Sequence, residues 1–233
     1  MSEKLPLTGE TIIFTGSKEP EGAMALTASL GGEAIYLPLI ETSVRQSQLP
    51  DFDGYGWLIF TSANSADAFG QLHIRTNAKI AAVGEKTAEK LAQYGFKTNF
   101  MPSVFSADVF VQEFPVVAGV SKCLFIKGSL AKNTIAGMPM QVDEWIIYET
   151  ALKIENAREL CRMSGVIVVF ASPSAVKAYA EAGGDFNAIR IAAIGHVTEG
   201  ALITHGGHAD FIPEKYTYTD LVNEIAKGSC THD

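Results

Sequence analysis

Short apolar runs alternate along this chain with longer segments in which apolar residues recur every three or four positions. In the first half of the chain the runs lie near residues 11–15, 33–37, 57–61, 79–83 and 98–101. They are continuous rather than alternating, which is typical of strands that are covered on both faces in a parallel sheet. The sequence therefore predicts an α/β fold with mainly parallel strands.

The segments between these runs carry the periodicity of amphipathic helices. Apolar residues from Ala23 to Leu30 recur at helical spacing and stop at Gly31, and those from Thr87 to Tyr94 stop at Gly95. Glycine just past the last turn is a common helix stop. Each half of the chain is therefore expected to run strand, helix, strand, linker, strand, helix, strand, helix, strand, with helices on both sides of a sheet.

Two passages of the chain are near copies of each other. Residues 79–87 match residues 190–198 at a shift of 111 positions, from Ile80 to Ile191. Further matches join residues 59–66 to 169–176 at a shift of 110, residues 12–17 to 124–129 at 112, and residues 39–42 to 147–150 at 108. Solenoid repeats have periods of roughly 20 to 50 residues and several copies. A longer unit used only twice predicts an internal duplication.

The composition is that of a globular protein, with 47% apolar and 19% charged residues among 233. The apolar runs fall far short of the roughly 20 residues that cross a bilayer. The amino terminus has no apolar signal-peptide core, so we expect a cytoplasmic protein without a membrane partner. A net charge of −8 argues against nucleic acid as a partner, because phosphate binding needs a basic face. Helix amino termini can still hold anions.

Metal, disulfide and nucleotide chemistry leave no signature in the sequence. Cys123, Cys161 and Cys230 are widely spaced and odd in number, so neither a metal site nor a disulfide is expected. There is no G-x-G-x-x-G, no G-x-x-x-x-G-K-[ST], no G-x-S-x-G and no H-E-x-x-H. The sequence therefore predicts that the protein binds neither a dinucleotide nor a nucleoside triphosphate.

Hydroxyl-rich turns follow the apolar runs at six places, each expected between a strand and a helix. They are Thr15-Gly16-Ser17, Thr61-Ser62-Ala63-Asn64-Ser65, Gly84-Glu85-Lys86-Thr87, Lys127-Gly128-Ser129, Ser172-Pro173-Ser174 and Gly195-His196-Val197-Thr198. Ligands of open α/β sheets bind at this edge. The turns also fit plain helix N-caps, worth about 1 kcal/mol each. Six such turns indicate a set of N–H and O–H donors suited to a polyanion.

The ordered set of motifs resembles the uroporphyrinogen-III synthase family. It comprises residues 57–65, residues 80–91, the Tyr148-Glu149-Thr150 segment, residues 169–176 and residues 191–198, and so covers almost the whole chain. The resemblance implies two parallel-sheet, flavodoxin-like, three-layer domains joined by a two-stranded linker. One domain would comprise residues 1–38 with 152–233 and the other residues 43–147, with linker strands at 39–42 and 148–151.

The family resemblance also implies a reaction. Its substrate is hydroxymethylbilane, a linear octacarboxylate tetrapyrrole, and no cofactor is needed. Loss of the terminal hydroxyl leaves an azafulvene cation, which attacks ring D at its substituted carbon and gives a spirocyclic pyrrolenine. Fragmentation and reclosure invert ring D and yield uroporphyrinogen III, whereas the uncatalysed path closes without inversion. We further expect a monomer that receives its substrate from hydroxymethylbilane synthase.

Site residues follow from the same resemblance. Tyr148 matches the family tyrosine proposed to help the hydroxyl depart as a general acid, and Thr198 matches a position that reaches substrate. The other implied substrate-binding residues are Thr15, Ser62, Asn64, Gly84, Thr87, Lys127, Gly128, Ser172, Ser174 and Gly195. Many relatives have arginine where this chain has Lys127, and lysine lacks the forked guanidinium that grips a carboxylate.

Four alternatives stay open at this point. Each half of the chain could fold alone. Tyr148 could be a packed linker tyrosine with its hydroxyl in water. A non-catalytic, two-domain anion-binding module would keep the turns but would not keep Tyr148. A methyltransferase or another tetrapyrrole-pathway enzyme would need a glycine-rich cofactor loop, which the sequence lacks.

Overall fold

The structure is a computed structural model and describes residues 5–45 and 48–229. Cys230, one of the three cysteines, lies outside these residues. The chain divides into two compact units, Met1–Glu41 with Ala151–Asp233 (unit 1) and Thr42–Thr150 (unit 2). The chain passes between the units twice, once within the third strand and once within the eighth.

Strands and helices alternate along most of the chain. In chain order the elements are β1 (Thr11–Phe14), α1 (Glu21–Ser29), β2 (Glu33–Tyr36), β3 (Ile40–Val44), a 3-10 helix (Phe52–Gly54), β4 (Trp57–Phe60), α2 (Ala63–Gly70), β5 (Lys79–Ala82), α3 (Glu85–Gln93), β6 (Thr98–Phe100), α4 (Ala107–Ala118), β7 (Cys123–Gly128), β8 (Val142–Leu152), α5 (Ile154–Leu160), β9 (Ile167–Phe170), α6 (Pro173–Glu181), β10 (Arg190–Ala193), α7 (His196–Thr204) and α8 (Tyr218–Ser229).

Each unit is built on its own sheet. The sheet of unit 1 has the strand order β10-β9-β1-β2, and all three of its strand pairs are parallel. The six-stranded sheet has the order β3-β8-β7-β4-β5-β6, and the four pairs from β8 to β6 are parallel. The prediction of an α/β protein with parallel sheets is confirmed.

Apolar side chains from both faces of each sheet form the cores. In unit 1, Ile13 and Phe170 pack on one face, while Phe14 packs with α8 on the other. In unit 2, Phe60 packs with α2 on one face, and Phe125 packs with α4 on the other. Burial of each such side chain contributes about 1.5–3 kcal/mol. Burial on both faces explains why these strands read as continuous apolar runs.

Two of the hydroxyl-rich turns do not lead into a helix in the expected way. After β7, residues 129–141 form turns and bends rather than a helix, so the expectation for the turn that starts at Lys127 is wrong. After β1, helix α1 begins only at Glu21, and Pro20 occupies the position before it. Proline fixes its own φ and disfavours helix at the preceding residue, which delays the start of α1.

The sheet pairings also correct the sequence alignment at β1. Ile13 pairs with Val168 of β9, and Leu124 pairs with Leu58 of β4. Leu58 and Val168 are 110 positions apart, so Ile13 corresponds to Leu124 at a shift of 111 rather than 112. A one-residue slip moves a side chain to the other face of a sheet. Gly16 therefore corresponds to Lys127, not to Gly128.

Within residues 5–45 and 48–229, every helix is too short or too polar to span a bilayer.

Candidate active site

Tyr148 is placed by an irregularity between β7 and β8. Lys127 pairs with Ile146, and the next residue, Gly128, pairs with Tyr148, so Ile147 is an extra residue on β8. Ile147 is fully buried in the core on the α2 side of the sheet, and Tyr148 packs against the same core. Strict alternation would send neighbouring side chains to opposite faces. The bulge therefore turns Tyr148 to the same face as Ile147.

Gly128 provides the space that the Tyr148 ring occupies. A Cβ atom at position 128 would lie 2.3 Å from Tyr148 Cζ and 2.6 Å from its hydroxyl oxygen. No side chain tolerates such contacts, so only glycine lets the ring lie over the end of β7. The backbone fixes the same region from both sides, because Ser129 N–H donates to Tyr148 O at 3.0 Å and Thr150 N–H donates to Ser129 Oγ at 3.1 Å.

Ser62 brings a second hydroxyl group to the phenol of Tyr148. The two oxygen atoms are 3.4 Å apart, and either can be the donor. Ser62 follows β4 and is the N-cap of α2, where its Oγ accepts from the Ser65 N–H at 3.2 Å. Ser65 is fully buried, so it anchors the cap to the core. The structure thus brings together three of the predicted residues, Tyr148, Ser62 and Gly128, at the carboxyl ends of neighbouring strands.

The other predicted residues of unit 2 that follow strands β4 and β5 lie in the first turns of α2 and α3. Asn64 is exposed in the first turn of α2. Gly84 is the N-cap of α3, and its carbonyl oxygen accepts from the Thr87 N–H at 3.0 Å. Thr87 is 4% exposed, so its side chain lies within the unit rather than at the surface.

Lys127 lies on the opposite face of the sheet from Tyr148. Its ammonium group pairs with Glu144 of β8 and lies 5.4 Å from the centre of the Phe125 ring. Lys127 is 6% exposed, whereas the Glu144 side chain is 39% exposed. The structure therefore does not bring Lys127 to the Tyr148 group, although both lie near the same end of the sheet.

In unit 1, the predicted residue Thr15 is used inside the sheet. Its side chain is fully buried, and its hydroxyl donates to the carbonyl oxygen of Val169 at 2.8 Å. The Thr15 backbone N–H donates to the same oxygen at 3.3 Å, so the hydroxyl adds a second bond at the end of the β1–β9 ladder.

The remaining predicted residues of unit 1 lie at the starts of α6 and α7. Ser172 is the N-cap of α6 and accepts from the Ala175 N–H at 3.4 Å, and Ser174 is half-buried in the first turn. Gly195 is the N-cap of α7, and Thr198, at 3% exposure, lies in its first turn. Ser62 and Ser172 therefore serve as side-chain caps of α2 and α6, as the simpler interpretation of the sequence expects, whereas Gly84 and Gly195 cap α3 and α7 without a side-chain bond.

The sequence patterns did not indicate that two aromatic residues lie next to Gly84 and Gly195. A Cβ atom at Gly195 would lie within 3.0 Å of the Tyr216 ring, and one at Gly84 would lie 3.9 Å from Phe105 Cβ. Phe105 and Tyr216 are 51% and 39% exposed. They are also 111 positions apart, so extending the repeat past residues 79–87 would have found them. The Tyr216 hydroxyl lies 3.1 Å from His196 Nδ1.

Tyr218 also packs on a glycine that follows a strand. A Cβ atom at Gly16 would lie 2.3 Å from the Tyr218 hydroxyl oxygen, and the Tyr218 ring meets Phe14 edge to face. Burial raises the pKa of Tyr218 to about 12, with a smaller contribution from Tyr36. Burial also raises the pKa of Tyr36, and nearby Glu19 adds to the effect. No local sequence signal connects Tyr218 to Gly16.

The chemistry available at these strand ends is that of neutral donors. A phenol, serine hydroxyls and helix-capping N–H groups can donate hydrogen bonds and hold carboxylates. Within the part of the chain that the structure describes, no cluster of three or more His, Cys, Asp or Glu residues could hold a metal ion. Burial raises the pKa of the Cys123 thiol to about 11, so at neutral pH it is not the thiolate that a metal or an electrophile needs.

The fold and the site define a class of protein: a parallel-sheet α/β protein that presents neutral donors at its strand ends. A sequence model of the family described as uroporphyrinogen-III synthase HemD matches residues 23–228. This chain belongs to the uroporphyrinogen-III synthase family. Uroporphyrinogen-III synthase is an enzyme, a cyclising lyase of heme biosynthesis, so the predicted family and enzyme class are confirmed.

Two relatives named uroporphyrinogen-III synthase align with this chain. Uroporphyrinogen-III synthase of Synechococcus elongatus is 34% identical over 140 residues, which is 52% of this chain and 51% of that protein. The match therefore spans about half the length of that relative. Uroporphyrinogen-III synthase of Chlorobaculum parvum is 27% identical over 220 residues, which is 84% of this chain and 89% of that protein.

Solved structures agree in fold. A mutant uroporphyrinogen III synthase from the extremely thermophilic bacterium Thermus thermophilus superposes with a TM-score of 0.77 at 16% identity, over 97% of this chain and 100% of the other. Uroporphyrinogen-III synthetase from Helicobacter pylori gives 0.65 at 18% identity, over 94% and 99%. At such identities the likeness concerns the fold alone.

Proposed function

We propose that this chain converts hydroxymethylbilane to uroporphyrinogen III and that Tyr148 is the general acid. The observation that carries the proposal is the group formed by Tyr148, Ser62 and Gly128. A bulge turns the phenol to one face, a glycine makes room for it, and a fixed serine hydroxyl lies 3.4 Å away. The nearby hydroxyl is the feature that separates Tyr148 from a packed tyrosine such as Tyr179, whose ring also lies over a glycine, Gly184.

The proposed first step is loss of water from the substrate. Tyr148 donates its phenolic proton to the terminal hydroxyl, the carbon–oxygen bond breaks, and its electron pair leaves with the water molecule. The resulting azafulvene cation is attacked by the substituted carbon of ring D. After fragmentation and reclosure, the proton lost from the ring restores the phenol. Tyr148 therefore ends each cycle as it began, and the net change is cyclisation with release of water.

Binding of the octacarboxylate is assigned to capping turns at the strand ends. N–H groups near Gly84 and Gly195 lie at the amino termini of α3 and α7, where helix dipoles favour anions. This mode of binding needs no excess of cationic side chains, which suits a chain with a net charge of −8. Holding the flexible tetrapyrrole substrate in one conformer directs the attack to the substituted carbon of ring D.

The other predicted binding residues have different proposed roles. Asn64, Ser172 and Ser174 lie in first turns with side chains that are exposed or half-buried, so they can donate to carboxylates. Thr15, Thr87 and Thr198 are buried and are proposed to shape the turns rather than to bind directly. Lys127 lies on the other face of its sheet and pairs with Glu144, so no substrate contact is proposed for it.

We also propose that the two units are domains that arose by duplication. Supporting this, α3 and α7 begin at Glu85 and His196 and end at Gln93 and Thr204, each 111 positions apart. The bounds of α4 and α8 differ by the same shift. The strand order β10-β9-β1-β2 of unit 1 also repeats as β5-β4-β7-β8 in the other sheet. The linker strands at 39–42 and 148–151, the monomeric state, the cytoplasmic location and the hand-off from hydroxymethylbilane synthase stay predictions.

The test is turnover of freshly prepared hydroxymethylbilane by the wild type and by Tyr148→Phe. Phenylalanine keeps the ring over Gly128, so the fold should be unchanged, and turnover should fall by about 10²-fold or more if the phenol is the acid. Circular dichroism and the urea midpoint of each protein serve as controls for folding. Unchanged turnover would remove the acid role from Tyr148 and leave it as a packing residue.

A further inference from the structure

We infer that Ser62 is a positioning residue that acts on the reaction through Tyr148, by donating a hydrogen bond to the phenolic oxygen while that oxygen carries negative charge. The inference rests on the proposed function of Tyr148. It differs from the sequence prediction for Ser62, in which its hydroxyl contacts the substrate directly.

Among the residues that the structure describes, the hydrogen bonds around Ser62 leave its hydroxyl proton two acceptors, Ser65 Oγ and the Tyr148 oxygen. The Ser65 hydroxyl donates its one proton to the Ser62 carbonyl oxygen at 2.8 Å, so Ser65 Oγ can only accept from Ser62. The Ser62 proton can therefore point to Ser65 Oγ, at 3.1 Å, or to the Tyr148 oxygen, at 3.4 Å. In either case Ser62 Oγ keeps the bond that it accepts from the Ser65 N–H.

The two orientations correspond to the two states of the acid. When Ser62 donates to Ser65, its oxygen can accept the Tyr148 proton, and the phenol then points at Ser62. When Ser62 rotates to donate to Tyr148, the phenolic proton is released toward the substrate. Rotation of one hydroxyl group thus directs the Tyr148 proton outward and at the same time supplies a donor to the oxygen that loses it.

A hydrogen bond from the Ser62 hydroxyl stabilises the Tyr148 oxygen mainly when that oxygen becomes negatively charged. An oxygen–oxygen distance of 3.4 Å is long for a hydrogen bond between two neutral hydroxyls. Bonds to an anionic oxygen are shorter and about twice as strong, and catalytic hydrogen bonds that are long in a ligand-free protein commonly tighten in the reacting complex. Ser62 is therefore expected to affect kcat more than KM.

The surrounding structure holds Ser62 where this role requires it. Its backbone begins α2, and buried Ser65 bonds to both its Oγ and its carbonyl oxygen. Tyr148 is fixed in turn by the bulge and by Gly128. The hydroxyl hydrogen atoms change direction, and a small approach of the two oxygen atoms is enough to tighten the bond.

A double-mutant cycle between Ser62 and Tyr148 tests the inference. Ser62→Ala is expected to lower kcat about tenfold, the equivalent of one hydrogen bond to a charged group, with KM within about twofold. In the Tyr148→Phe background the same change should alter kcat by less than about twofold, because the oxygen that Ser62 serves is gone. Ser62→Thr keeps both the hydroxyl and the N-cap, and should retain most of the activity.

Helix capping requires its own control. Ser106 is the N-cap of α4 in the same unit and accepts from the Val109 N–H at 3.2 Å. Ser106→Ala should reduce stability as much as Ser62→Ala does, by loss of one cap, while kcat stays within about twofold of the wild type. If Ser62→Ala does not fold, Ser62→Gly replaces it, because glycine is nearly as good an N-cap.

Each of the other outcomes would overturn the inference for a different reason. Independent, multiplying effects of the Ser62 and Tyr148 changes would mean that Ser62 works on the substrate itself. An increase in KM without loss of kcat would assign Ser62 to carboxylate binding. Normal kcat and KM in Ser62→Ala would leave it as a cap only. A wild type that does not cyclise hydroxymethylbilane would instead contradict the proposed function.

Discussion

Tyr148 and Gly128 are direct partners across β8 and β7, and the tyrosine ring fills the space where a side chain at 128 would be. A methyl group there would lie 2.3 Å from Tyr148 Cζ, well inside van der Waals contact. The glycine therefore fixes where the phenol can lie, and the phenol cannot keep its place if the glycine is lost.

We expect Gly128→Ala to lower kcat at least as much as Tyr148→Phe does. The added methyl group pushes the ring away from β7 and from Ser62, whereas Tyr148→Phe removes only the oxygen atom. Gly54→Ala is the matched control in unit 2, since nothing lies within 4 Å of a Cβ atom at that position. Steady-state kinetics of the three variants check this prediction. Normal turnover in Gly128→Ala would show that the ring position is unimportant.

Glu144 is expected to stabilise unit 2 through Lys127. Lys127 is nearly buried, so Glu144→Gln leaves its ammonium group without a carboxylate partner and should lower the free energy of unfolding by about 1–2 kcal/mol. Glu155→Gln removes an exposed pair with Arg158 and should have an effect of less than about 0.5 kcal/mol. Urea unfolding of both variants tests the difference. Equal midpoints would contradict it.

Unit 2 is expected to lose stability in acid as Asp143 becomes protonated. Hydrogen bonds from Lys122 and Tyr55 lower the pKa of Asp143 below its usual value. The unfolded chain therefore binds more protons there than the folded one, so the stability due to Asp143 is present above the unfolded pKa of about 3.9 and is lost as pH falls through the lower folded value. The urea midpoint of Asp143→Asn should fall less steeply than that of the wild type below about pH 4.5. Parallel pH curves would refute the assignment.

Tyr218 should be among the last tyrosines to ionise in the folded protein. Burial raises its pKa to about 12, and the same cause raises the pKa of the core residue Tyr179 to about 12. In a spectrophotometric titration of tyrosine ionisation, Tyr218→Phe should therefore reduce the absorbance change at the highest pH values. The change at lower pH should stay unaltered. A loss at lower pH would mean that Tyr218 is open to water.

Most strands of this fold could be predicted from the sequence because their signal is local. The last strand expected in the second half is reduced to a single bridge between Ala192 and Phe211. Continuous apolar runs at residues 79–83 and 57–61 became β5 and β4 with a difference of one residue at the end. Helix stops at Gly31 and Gly95 were equally clear, because both have the positive φ that favours glycine. Such features depend only on the residues within one element and its immediate neighbours.

The side-chain geometry of the site could not be predicted in the same way. Trp145 and Ile147 alternate toward one core, and continued alternation would place Tyr148 on the opposite face. Only the bulge reverses this, and a bulge depends on how β8 pairs with β7 rather than on its own residues. The close approach of Tyr218 to Gly16 likewise joins the two ends of the chain through packing, which sequence periodicity does not record.

The reaction proposed for this protein is the ring closure of hydroxymethylbilane with inversion of ring D. Its most direct test is to supply freshly prepared hydroxymethylbilane, oxidise the products to porphyrins and separate the type I and type III isomers by chromatography. Type III is expected as the main product with the protein, and type I in buffer alone. An isomer ratio with the protein equal to that of buffer alone would contradict it.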